Sequence, residues 1–373
     1  MIYKRYRYRI YPTEVQRRTL AKHFGAVRFI YNWALETKES AWLSNGERIS
    51  RYDLSSLLPI KKKELPWLKE SYSQSLQVAL LNLDNAYTSF YEGRTAHPKP
   101  KRKGNTQSFT FNQHLDGREC CFRAGGTIVK VPKVGKIKCA FNRQFDGKLK
   151  TVTIIKRPTG KYFVVCLVEL GSDLPSKPEP VESNAIGVDL GVKTFATLST
   201  GEVIDNPRYL SKSLKSLRRA SHKHSKKKKG SKNREKSRKK LAILYERVNN
   251  QRADFLHKTS TKLIRENQTV CIEDLNVRGM LKNHKLARHI QDAGFYAFRQ
   301  MLTYKAEWYG KNVLVIDRWA PSSKQCNCGY KNTELKLRHR VWTCKACGTT
   351  HDRDLLAAQN IVRFAFHPEI AKT

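Results

Sequence analysis

The sequence predicts a multi-domain α/β protein. A small β-barrel carries an inserted helical domain, and a second α/β domain follows whose strands end in carboxylates. Three observations carry this prediction. Short β-rich segments with turns between them recur over 107–170, and an alternating segment at the N-terminus is suited to join them. Apolar residues at helical spacing fill much of 13–95. Farther along, two apolar strands finish in acidic residues, and four cysteines cluster between 326 and 347.

Composition limits the function classes. The 373-residue chain carries 72 Lys and Arg against 32 Asp and Glu, a net charge of +40. With 39% hydrophobic and 10% aromatic residues it is too apolar for a disordered polycation. No apolar run approaches the ~18 residues of a membrane span, and Met1-Ile2-Tyr3-Lys4-Arg5-Tyr6 has no stretch of signal-peptide type. Membrane association and secretion are therefore not expected; a cytoplasmic, nucleoid-associated protein is. A folded chain this basic repels itself unless a polyanion is bound, and nucleic acid rewards dense Lys and Arg through counterion release.

The elements follow in order. Over 2–10, Tyr6, Tyr8 and Ile10 face one way and Arg5, Arg7 and Arg9 the other, which is a half-buried strand with a basic face. Thr13 caps a helix with Gln16 closing a capping box, and Val27, Ile30, Tyr31, Ala34 and Leu35 continue it. A further helix over 71–91 places Leu76, Leu80, Leu83, Tyr87 and Phe90 on a core stripe, which leaves Gln74 and Gln77 on the polar face. Pro98 to Gly104, with Lys99, Lys101, Arg102 and Lys103, is a stiff basic linker. Strands are expected at 108–112, 127–132, 136–141, 150–156 and 162–169, with a boundary in the Pro-rich segment 173–180. Residues 211–240 hold fifteen Lys and Arg, including Lys226, Lys227, Lys228 and Lys229, and read as helix, basic loop, helix: a phosphate-binding arm.

In so basic a chain the acids in apolar settings stand out. Asp189 ends one strand among glycines, Glu273 and Asp274 end a second, and Asp352 is an N-cap candidate for a helix containing Asp354. Carboxylates converging from two strand ends and a helix start form an Mg²⁺ site, and two ions about 3.5–4 Å apart would serve phosphodiester cleavage. The spacing does not choose between Glu273 and Asp274. Nine cysteines are present; Cys120, Cys121, Cys139, Cys166 and Cys271 lie in apolar or strand-like stretches. Cys326, Cys328, Cys344 and Cys347, with turn glycines after each pair, match a Cys₄ zinc ribbon. The first pair is C-x-C rather than C-x₂-C, so strain or weak metal binding is expected in that half.

These pieces, in this order, resemble the TnpB family, transposon-encoded OrfB proteins related to type V CRISPR effectors. The resemblance runs through Tyr8–Gln16, Gly25–Asn32, Gly187–Lys193, Ile272–Val277, Pro321–Lys324, the cysteine knuckle and His351-Asp352-Arg353-Asp354. It implies an RNA-guided, Mg²⁺-dependent endonuclease that cuts double-stranded DNA beside a transposon-adjacent motif, guided by RNA from the transposon right end, with no protein partner required. It also implies a RuvC nuclease domain of RNase H-like fold at 183–318 and 350–367, interrupted by the zinc ribbon at 319–349. The wedge-like β-barrel becomes 1–10 and 107–182, the helical recognition domain 11–106, and the tail 368–373. The catalytic triad falls on Asp189, Glu273 and Asp354, and the helix bearing Gln74 and Gln77 is similar to the family's motif-reading helix. The sequence departs from the family pattern at Leu356, where Asn is usual, in the C-x-C pair, and at Pro98-Lys99-Pro100-Lys101. Two other readings are an RNA-guided repressor that binds without cutting and an RNase H-like transposase.

Overall fold

The structure, a computed structural model, describes residues 2–112, 127–171, 174–336 and 339–371. Cys120 and Cys121 lie outside them. The chain divides into two compact units, 1–173 and 174–373.

In the first unit, strand β1 (Ile2–Tyr11) is followed by helices α1 (Glu14–Asn45), α2 (Arg51–Glu64) and α3 (Ser73–Tyr91). Strands β2 (Gln107–Asn112), β3 (Ile128–Val131), β4 (Gly135–Ala140), β5 (Lys148–Lys156) and β6 (Tyr162–Leu170) complete it. The expected capping box is present: Thr13 accepts from the Gln16 amide, and the Gln16 side chain accepts from the Thr13 amide at 3.0 Å. Helix α1 stops at Gly46, whose φ of 65° suits a residue without a Cβ. The six strands pair antiparallel in the order β2-β5-β6-β1-β4-β3, with β1 inside the sheet as its alternation requires. Among the described residues the expected barrel is a sheet whose edges, β2 and β3, do not pair with each other. One hydrophobic core joins sheet and helices: Tyr8 and Ile10 share it with Leu20, Phe24, Leu76, Leu80, Phe109 and Val164. Each such side chain removed from water contributes roughly 1.5–3 kcal/mol, so the helical insertion and the sheet stabilise one another.

The second unit contains β7 (Ala185–Leu190), β8 (Thr194–Leu198), β9 (Val203–Asp205), α4 (Tyr209–Ser225), α5 (Lys232–Glu266) and β10 (Thr269–Glu273). It continues with α6 (Val277–Met280), α7 (His284–Ala293), α8 (Phe295–Tyr309), β11 (Asn312–Ile316), β12 (Val341–Thr343), β13 (Thr350–Asp352) and α9 (Arg353–Phe366). Its main sheet has the order β11-β10-β7-β8-β9. Strands β7, β8 and β9 are antiparallel neighbours, whereas β10 runs parallel to both β7 and β11. Four consecutive residues of β10, Thr269 to Ile272, are buried, the signature of a parallel strand covered on both faces. Val188, Phe195, Ile272, Leu263, Phe298 and Leu302 form one core, while Cys271, Ile316, Ile361 and Phe364 form another beneath α9.

The division between units falls nine residues before the expected 182/183 boundary. Segment 174–182 belongs with the second unit because it is stitched to it. Asn312 Nδ2 donates to the Pro178 carbonyl at 2.8 Å, and Gln268 Nε2 donates to the Glu179 carbonyl at 3.2 Å.

Candidate active site

The C-terminal ends of β7 and β10 lie side by side, so Asp189 and Glu273 project from adjacent strands. Asp354 arrives from α9, which crosses β7 at Gly187. A Cβ there would meet the Ala358 carbonyl oxygen at 1.9 Å, so only glycine lets the helix approach this closely. Asp352 caps α9, accepting from the amides of Asp354 at 3.0 Å and Leu355 at 2.9 Å, and this fixes Asp354 in the first turn.

Electrostatics tie the three carboxylates together. Burial, then the charges of Glu273 and Asp354, push the Asp189 carboxyl up to about 7. Burial also raises Glu273, opposed by Ser322, whose Oγ donates to Glu273 Oε1 at 2.6 Å. Arg340 Nη1 donates to both oxygens of Asp354, at 2.9 and 3.0 Å. The neighbouring Asp274 is spoken for: hydrogen bonds from Arg318 and Arg299 hold its carboxyl below the usual range. A carboxylate neutralised twice is a poor metal ligand, which separates it from Glu273. Hard divalent cations take carboxylate oxygens as ligands, so the chemistry of this donor set is compatible with Mg²⁺. Among the described residues, only the four ribbon thiols form a group of three or more metal-ligating atoms all within 4.8 Å of one another, so at least one pair among the three acids is more widely spaced.

At the knuckle the thiols of Cys326, Cys328, Cys344 and Cys347 all lie within 4.8 Å of one another. Cys326 Sγ is 3.5 Å from Cys347 Sγ, and Cys328 Sγ is 3.6 Å from Cys344 Sγ. The C-x-C half therefore delivers both sulfurs, aided by a tight turn in which the Gly329 amide donates to the Cys326 carbonyl at 2.9 Å. Four converging thiols fit zinc. Leu356 is buried with Cys326, Leu335, Trp342 and Cys344, so its side chain serves the knuckle's core.

The expected nucleic-acid residues fall in several places. Gln74 is occupied, accepting from the Asn112 amide at 2.8 Å, while Gln77 is exposed. Both line a groove of 260 Å³ with Arg51, Tyr52 and Ser55. Lys101 Nζ sits 3.8 Å from the centre of the Tyr31 ring, and Lys99, Lys101, Arg102 and Lys103 are all exposed. Lys226 to Lys229 form the exposed turn between α4 and α5. That turn is pinned from within, the Ser231 hydroxyl donating to the Lys228 carbonyl at 2.9 Å.

Several supporting residues were not legible beforehand. Ser322 lies within the quoted Pro-Ser-Ser-Lys segment, but nothing in that segment says its hydroxyl turns back to Glu273. Asn360 is fully buried and donates to the Ser322 and Gln325 carbonyls, both at 2.7 Å, fixing the loop that carries Ser322.

Comparison with known proteins gives concordant results. Residues 165–284 match the OrfB_IS605 family, described as "Probable transposase", and 295–361 match the "Cas12f1-like, TNB domain". Residues 1–47 match a family described as a helix-turn-helix domain, although here they form β1 and the single long helix α1. A Streptomyces pristinaespiralis protein named "Putative RNA-guided DNA endonuclease" is 42% identical over 96% of this chain and 88% of its own. A like-named Escherichia coli K12 protein, InsQ, is 30% identical over 96% of this chain and 91% of its own. Among solved structures, a Cas12f1–sgRNA–target DNA complex superposes with a TM-score of 0.57 at 13% identity, covering 92% of this chain and 82% of that one. At such identity the likeness is one of fold.

Proposed function

Because this chain belongs to the TnpB (OrfB) family of transposon-associated proteins, we propose that it is an RNA-guided endonuclease that cuts double-stranded DNA. The observation that carries the reading is the coupling of Asp189, Glu273 and Asp354 at the ends of adjacent strands and the start of α9. A sheet with three antiparallel strands followed by two parallel ones supports an RNase H-like domain of RuvC type.

In this reading Asp189, Glu273 and Asp354 would hold Mg²⁺, two ions by the chemistry of the reaction, and metal bound there supplies water activation and leaving-group stabilisation for phosphodiester hydrolysis. The chain's own residues aim the ligands. Ser322 turns one oxygen of Glu273, and Asp352 orients the first turn of α9. Arg340 donates to both oxygens of Asp354 and would have to release them for Asp354 to serve as a metal ligand. Arg299 and Arg318, anchored on Asp274, place positive charge beside the phosphate path. The four thiolates would hold zinc, tying the Cys326–Gly329 turn to the turn between β12 and β13. Leu356, on α9, packs against Cys326 and Cys344 and so joins that knuckle to the helix bearing Asp354.

Base pairing with an RNA from the transposon right end would read sequence, leaving the protein a short adjacent motif and the backbone. The groove of Gln77 and Tyr52 is suited to the motif, and Lys226 to Lys229 to phosphates.

The test is guided cleavage. Protein co-expressed with RNA from its gene's 3′ flank would be given Mg²⁺ and a plasmid library carrying a matched target beside randomised bases. Cut ends clustered beside one short motif are expected. Enrichment of a motif without ends would establish the repressor instead, and cutting without any RNA would favour the transposase.

A further inference from the structure

Trp319 is 85% exposed, the most exposed large hydrophobic side chain among the described residues. A tryptophan left in water forgoes the burial that makes it the largest apolar contributor to a core. Its loop is not free to fold it away. The loop leaves β11 at Ile316, the register partner of Glu273, and returns to Glu273 through the Ser322 hydroxyl at 2.6 Å. Between these two anchors, the Trp319 amide donates to Asp317 Oδ1 at 2.8 Å, and Arg318 Nε donates to Asp274 Oδ2 at 3.1 Å. The indole is thus held in solvent by a braced loop that starts and ends on a candidate catalytic carboxylate.

From this geometry we infer that Trp319 is a stacking platform for an unpaired base of the DNA strand entering the carboxylate site. The inference rests on the nuclease reading above. A flat, apolar, sequence-tolerant surface beside arginines suits a single strand, because every base has a π-face. Docking one base on a loop fixed to Glu273 sets how far the next phosphates lie from Asp189 and Asp354. Trp319 is a positioning residue: it touches a base and acts on the reaction through placement.

The experiment uses the guide-loaded protein with Mg²⁺ and matched duplex DNA, with single abasic sites scanned through the strand region that is cut. Wild type should slow sharply when the abasic site occupies one position. Trp319→Ala should cut intact DNA roughly 5- to 150-fold more slowly, the range given by removing one base–aromatic stack, and should not show that positional dip. Trp319→Phe should restore most of the rate and the dip. Equal rates for Trp319→Ala and wild type on intact DNA, or identical abasic profiles, overturn the stacking role alone. Absence of cutting by the wild-type complex overturns the nuclease reading itself.

Discussion

Replacing Gly187 with alanine tests whether the approach of α9 to β7 sets the carboxylate geometry. The new Cβ would lie 1.9 Å from the Ala358 carbonyl oxygen and 2.9 Å from Val362 Cγ2. Ordinary contact begins at 3.4 Å, so helix and strand must part by 3.4 − 1.9 = 1.5 Å. The nearest atom is a backbone carbonyl oxygen, which no side-chain rotation can move aside. Overpacking of this kind costs about 1–3 kcal/mol, which for a unit of this size lowers the melting temperature by roughly 2–12 °C. Ala358 is one turn from Asp354, and Gly187 two residues from Asp189, so the displacement opens the site. Misplacement of about 1 Å can cost on the order of 10²-fold in rate. Single-turnover cleavage should therefore fall by about that factor or more, with melting read in parallel. Gly25→Ala in α1, where the added Cβ meets nothing within 4 Å, is the control and should stabilise by about 0.4–1 kcal/mol. Wild-type melting and cleavage in Gly187→Ala would show that the close crossing does not govern the site.

Three further outcomes are expected. Asp189, pushed up to about 7 when folded, retains a proton that the unfolded chain has already released. Metal-free stability should therefore fall as pH rises from about 4 to about 7, by at most a few kcal/mol over that window, and Asp189→Asn should remove this fall. Melting curves across pH with chelator check it, and parallel slopes would contradict it. Cys344→Ser removes one of four converging thiols and loosens the core shared with Leu356, so zinc content and melting temperature should both drop; metal analysis of purified protein checks it, and zinc unchanged from wild type would contradict it. Replacing Lys226 to Lys229 with alanine should lower the magnitude of the salt slope of nucleic-acid binding by about 0.9 for each duplex phosphate these side chains neutralise. An unchanged slope would mean these lysines touch no phosphate.

The legible parts of the fold are those with local causes. The alternation of β1, the Thr13–Gln16 box and the two helices flanking Lys226 to Lys229 are written in neighbouring residues. Helix α2 is not: Pro59 lies inside it and only Leu54 and Leu58 are buried, so neither propensity nor periodicity announces it. At the site, the strand pattern leaves Glu273 and Asp274 equivalent. What distinguishes them is Arg299 and Arg318, 25 and 44 residues away, and no spacing rule reveals that pairing. The role of Gly187 likewise depends on a helix, α9, that crosses it from the far end of the chain. The convergence of the C-x-C thiols with the second pair involves a turn in which the Gly329 amide donates to the Cys326 carbonyl at 2.9 Å, and a count of intervening residues does not reveal that turn.

Everything proposed for the nuclease depends on Asp189, Glu273 and Asp354 together holding the metal that cuts guide-matched DNA. A comparison of wild type with Asp189→Ala decides this, each loaded with the same RNA and saturated with the same duplex, with Mg²⁺ or chelator. Equal DNA occupancy is predicted for both proteins, with cutting only by wild type and only with Mg²⁺. Cutting by Asp189→Ala at the wild-type rate, or by wild type in chelator, would contradict it.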